Sequence, residues 1–115
     1  MEPLMLTFCM RDDSILLNTG IIEALDRPRQ VQILINDDAK MLVLRACTIE
    51  DQQAVVIYPD KADGVEISGR SLLKRIKKLT GWQDDRSRVL YGDYLPTHRA
   101  VRFNLMESEA VLEDA

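Results

Sequence analysis

Leu4, Leu6 and Phe8 alternate with Met5, Thr7 and Cys9, the two-residue period of an extended strand. Both sets are largely apolar, as in a strand covered on two sides. Residues 11–14 (Arg-Asp-Asp-Ser) read as a tight turn, and Ile15, Leu16 and Leu17 return as the second arm of a hairpin. The period then lengthens. Ile21, Ile22 and Leu25 mark one face of a short helix over residues 19–25, with Glu23 and Asp26 outside. Asn18 or Thr19 is its expected cap, because a side-chain oxygen there can accept an orphan N–H of the first turn. Pro28 is its expected stop. Alternation resumes in residues 31–35 and 41–45, joined by the polar residues 36–40, and this is the clearest hairpin in the chain. Residues 54–58 read as one more strand or an extended spacer.

From Val65 the same order of elements begins again. Val65, Glu66 and Ile67 read as a strand. Leu72, Ile76 and Leu79 recur at helical spacing with Leu73 beside them, predicting a helix over 72–79. Ser68 or Ser71 is its expected cap and Gly81 its left-handed terminator. Lys74, Lys77 and Lys78 fall on the opposite face, where the last two suit the helix dipole. Trp82 is expected to pack the helix end on a sheet. Residues 88–91 and 100–105 then form a second hairpin across 92–99, with Val101, Phe103 and Leu105 alternating against Arg102 and Asn104.

A repeated unit of this kind buries its apolar face against its neighbour. The expected fold is therefore α+β: two βαββ units (strand, short helix, hairpin) on a shared core, in a single domain spanning 1–115. The pseudo-repeat halves are 4–58 and 65–105. Residues 59–64, rich in turn formers and charge, link them, and 106–115 form a flexible acidic tail.

Charge divides along the same line. Residues 1–64 carry six Lys and Arg against eleven Asp and Glu; residues 65–105 carry nine against four; the tail adds only acids. The net charge of -4 thus conceals a basic second half. The length of 115 residues, with 46% hydrophobic and 30% charged positions, is that of one ordinary soluble domain. No apolar run nears the roughly 20 residues of a membrane helix. The first residues lack a basic region and a small-residue cleavage site, so a cytoplasmic location without membrane contact is expected.

Little in the chain points to catalysis. Cys9 and Cys47 sit in apolar stretches and read as small buried hydrophobes, able to face each other across a sheet but not expected to form a disulfide. His98 is the single histidine, so no metal site is expected. Tyr91, Asp93 and His98 are the one trio that could converge on a loop. Without a second histidine, a poised nucleophile or a cofactor motif, a non-enzymatic role and no cofactor are expected.

Residues 15–18 (Ile-Leu-Leu-Asn), the helix end Glu23-Ala24-Leu25-Asp26 and the strands at 30–35 and 41–45 resemble the AbrB/MazE family of swapped-hairpin DNA-binding domains. The likeness covers residues 4–47. That family carries a proline where Asn18 stands, a glycine at Asp26 and an arginine at Ile22. Its DNA-contacting basic turn corresponds to residues 11–14, where Arg11 is the retained cation. The second half also resembles small bacterial and phage proteins without an assigned activity. The resemblance implies a DNA-binding transcriptional regulator, carried on a mobile element in some cases.

Two roles follow. In the first, the basic second half meets DNA through Arg70, Lys74, Arg75, Lys77, Lys78, Arg86, Arg88, Arg99 and Arg102: lysines on a helix face neutralise phosphates, and arginines on strands or loops reach base edges. In the second, the acidic first half, including Asp12-Asp13 and Asp37-Asp38, meets a basic protein partner, as an antitoxin-like module or a small phage-type inhibitor does. A solvated helix face and ordinary turn chemistry are the plain alternatives. Exposed hairpin edges predict a homodimer, interlocked through the first hairpin, unless the two halves already form a pseudo-dimer.

Overall fold

The computed structural model describes residues 2–57 and 64–111, so the expected link lies outside the described residues except for Gly64. The fold is α+β. Among the described residues two helices and ten strands run in the order β1 (Met5–Cys9), β2 (Ser14–Leu17), α1 (Thr19–Ala24), β3 (Gln30–Asn36), β4 (Met41–Ala46), β5 (Val55–Val56), β6 (Val65–Ser68), α2 (Arg70–Thr80), β7 (Arg88–Tyr91), β8 (Asp93–Leu95), β9 (Ala100–Asn104) and β10 (Glu109–Ala110). They build two antiparallel sheets, ordered β10-β7-β1-β2-β6 and β5-β3-β4-β9-β8.

The core lies between the sheets. Leu6, Phe8, Ile15 and Leu17 from the first sheet share one buried cluster with Leu42, Leu44, Val101 and Phe103 from the second. Ile21, Ile22 and Leu25 of the α1 region and Leu73 and Ile76 of α2 complete it. Each such side chain contributes about 1.5–3 kcal/mol on leaving water.

Asn18 does more than cap α1. Its Oδ1 accepts from the backbone N–H of Ile21 at 3.0 Å and of Met5 at 3.2 Å, and its Nδ2 donates to the Pro3 carbonyl at 2.8 Å. The helix start is thereby tied to the first strand. The helix stops well before Pro28, since Asp26 and Arg27 turn left-handed at φ 61° and 47°. α2 starts earlier than expected. Its N-cap is Gly69, with no side-chain bond, so neither Ser68 nor Ser71 caps it. Gly81 ends it in the left-handed region at φ 80°, as expected.

The second hairpin differs from expectation. β7 and β9 do not pair: β7 joins β1 in the first sheet, while β9 pairs with β8 and β4 in the second. Residues 88–95 cross between sheets at Gly92. A Cβ there would stand 2.5 Å from Val101 Cγ1 and 2.6 Å from Phe103 Cε1, so the chain lies directly on the core as it crosses. Residues 106–111 are not loose. A 3-10 turn at Leu105–Glu107 leads into β10, which pairs with β7; residues 112–115 lie outside the described set. Cys9, in β1, and Cys47, just past the end of β4, are both free thiols.

The register reveals a relation between the two hairpins. Adding 59 to both members of the pairs Leu34↔Val43, Ile35↔Leu42 and Asn36↔Met41 gives Asp93↔Arg102, Tyr94↔Val101 and Leu95↔Ala100, all of which are observed. The relation extends to the edge strands. Leu6 pairs with Leu90 and Val55 pairs with Val31, and Leu90 and Val31 are again 59 apart. β5 therefore stands to β3 as β1 stands to β7.

Candidate nucleic-acid interface

α2 turns Leu73 and Ile76 inward, which leaves Arg70, Lys74 and Lys78 exposed on its outer side. Their four-residue spacing aligns them in one stripe, with roughly 6 Å of axial rise per step. None of the three makes a side-chain hydrogen bond or ion pair with a described residue. The two flanking cations are engaged. Arg75 Nη2 lies 2.8 Å from Asp37 Oδ1 on the β3–β4 turn, and Lys77 Nζ lies 2.8 Å from Asp85 Oδ1 just beyond the helix. Both pairs are solvent-exposed, so they compete only weakly with an incoming anion.

Past Gly81 the basic residues part company. Arg86 is exposed, and its backbone N–H donates to Asp84 Oδ1 at 3.0 Å. Arg88 is turned inward on β7, with its side chain only 14% exposed. Its guanidinium lies 4.5 Å from the Trp82 ring centroid and 3.3 Å from Asp84 Oδ1. Trp82 in turn meets Phe8, ring centroids 6.0 Å apart, so the indole does pack the helix end on the first sheet. Asp84 is held below the usual carboxylate range, first by the Arg86 N–H and then, against slight burial, by the charges of Arg88 and Arg86.

Arg99 and Arg102 lie on a different element, the β8–β9 hairpin. Arg99 donates to the Leu25 carbonyl at 3.0 Å, closing the end of α1. Arg102 faces Asp93 across the strands at 3.6 Å. Of the nine cations predicted to meet DNA, the structure groups Arg70, Lys74 and Lys78, with Arg75 and Lys77 at their flanks. It withdraws Arg88 and commits Arg99 to the fold.

The acidic candidates are similarly divided. Asp37 serves Arg75, and Asp13 occupies a left-handed turn position at φ 52°, its carbonyl accepting from the Gly69 N–H at 2.8 Å. No hydrogen bond or ion pair joins Tyr91, Asp93 and His98 among the described residues. Tyr91 and Asp93 belong to different sheets, and Asp93 is occupied by Arg102. The Cys47 thiol is pushed up by burial and by Asp51, against the pull of Arg45, so it stays protonated further into alkaline solution than a free thiol.

Periodicity did not mark the exposed apolar positions. Leu34, Val56 and Tyr91 are 42%, 50% and 59% exposed. Alternation assigns their neighbours inward but carries no signal for an apolar side chain on the solvent side. No protein-family model, curated protein or solved structure matches this chain. Among the described residues no helix is long and apolar enough to cross a membrane.

Proposed function

We propose that this protein is a non-enzymatic, AbrB/MazE-like nucleic-acid-binding regulator that meets the phosphate backbone with the outer side of α2. The observation that carries this reading is the stripe of Arg70, Lys74 and Lys78, three exposed cations at helical spacing with no carboxylate partner among the described residues. A net charge of -4 repels nucleic acid from the rest of the surface, so the stripe also sets the orientation of approach. Pairing of β2 with β6 and of β4 with β9 joins the halves within one chain, which supports the pseudo-dimer arrangement over an interlocked pair of chains.

Three phosphate contacts release counterions, giving a slope of about −3 in a plot of log affinity against log salt. Duplex DNA retardation measured over a salt series is expected to show it. The paired substitution Lys74→Glu and Lys78→Glu is expected to weaken binding at least tenfold and to remove about two units of slope. No retardation of any duplex at low salt by the unmodified protein would reject this function.

The exposed Leu34 and Val56 favour a protein partner as a second reading. A homodimer built by strand addition would have to use β5, β6, β8 or β10, the outermost strands of the two sheets among the described residues.

A further inference from the structure

Strand register fixes which side chains share the outer face of the first sheet. Leu6, Phe8, Ile15 and Leu17 turn inward to the core, so the residues alternating with them point away from it. Across the five strands the pairs Glu109↔Val89, Val89↔Thr7, Thr7↔Leu16 and Leu16↔Glu66 form a single row. The neighbouring rows add Tyr91↔Met5 on one side and Cys9↔Ser14 on the other. The three central strands therefore present Met5, Cys9, Leu16, Val89 and Tyr91. Carboxylates stand on β6 and β10, the outermost strands among the described residues.

This face is apolar without serving the core. Met5, Cys9, Leu16 and Val89 are half-buried and lie outside the buried cluster, and Tyr91 is 59% exposed. Both helices turn their apolar sides into that cluster, through Ile21 and Ile22 of α1 and Leu73 and Ile76 of α2. Glu66 and Glu109 are exposed, and neither makes an ion pair with a described residue.

We infer that this face binds one amphipathic helix of a partner protein, apolar along its inner side and carrying Lys or Arg on both flanks. Width selects the occupant. With strands about 4.8 Å apart, the central three span roughly 10 Å, the diameter of a single helix. The two carboxylates stand roughly 19 Å apart, where long basic side chains reach from either flank of that helix. β1 is five residues long, so its run supports about two to three helical turns. Charge disfavours the competing occupants. A second copy laid face to face brings acids against acids, and an anionic membrane meets the same repulsion. The face shares no residue with the stripe of Arg70, Lys74 and Lys78, so the inference does not rest on nucleic-acid binding.

The probe is an acetylated, amidated helical peptide of about 15 residues, with leucines at helical spacing along one side and lysines on both flanks. It is titrated into the full chain carrying labelled Leu, Val and Met methyl groups. Saturable shifts at Met5, Leu16 and Val89 are expected, with Leu34 and Val43, paired in the second sheet, unmoved. Glu66→Lys together with Glu109→Lys should weaken binding roughly tenfold, and a peptide with glutamates in place of its lysines should bind that variant and not the unmodified chain. The milder pair Glu66→Gln and Glu109→Gln should move affinity in the same direction, with circular dichroism confirming that both variants fold. No shifts at millimolar peptide, equal shifts at Leu34 and Val43, or an affinity indifferent to these substitutions would overturn the proposal. Shifts at Met5, Leu16 and Val89 that grow with protein concentration without peptide would overturn it in favour of a second copy. Saturable shifts there with phosphatidylglycerol vesicles would overturn it in favour of a membrane surface.

Discussion

Arg88 shows how one side chain can be misjudged from sequence. In the chain it is one of a dense set of cations. In the fold it points toward the core, stacked on Trp82 and tethered to Asp84. The tether has a pH dependence. Asp84 has a folded pKa below the ordinary value of 3.8, so its contribution to stability is complete above that value and is lost as pH falls through the depressed one. Trp82 is the sole tryptophan and therefore reports the event. Its fluorescence is expected to change with a midpoint below 3.8, and Asp84→Asn should remove that step; an unchanged titration in the variant would place the step elsewhere. Among the cations, sequence could mark type and helical face. It could not mark the withdrawal of Arg88 or the pairing of Arg75, because the Asp37 partner lies 38 positions away along the chain.

At the scale of elements, the hairpin of β3 and β4 was fully legible, since two alternating runs and a polar loop define it locally. The strand over residues 88–95 was not. Gly92 reads as a loop residue, yet it lets one nearly continuous strand leave the first sheet and enter the second. Phe103 and Val101 lie where its side chain would go, and neither can give way inside a packed core. Gly92→Ala is therefore expected to destabilise the protein by about 2–4 kcal/mol, an overpacking cost at the upper end of single substitutions. Urea unfolding measures it, and a loss below about 0.5 kcal/mol would mean that the crossing is looser than described. The early start of α2 had a similar origin: a glycine cap leaves no side-chain signature for a reader of sequence.

For the whole molecule, both halves feed one buried cluster, and β2·β6 and β4·β9 tie them through backbone pairing. Neither half can open without exposing the other's apolar side. Urea transitions followed by Trp82 fluorescence, which reads the second half, and by far-ultraviolet circular dichroism, which reads both, are expected to coincide. Two separated transitions would show that the halves fold independently.

The sequence by itself determined most of the strands and both helices, the inward apolar faces of α1, α2 and the β3–β4 hairpin, and where basic residues would gather. Those properties follow from local periods and local composition. Only the tertiary structure decided which strands share a sheet and which cations find carboxylates. Pairing between distant segments depends on where each strand's edge meets another's in space, and no local period encodes that meeting.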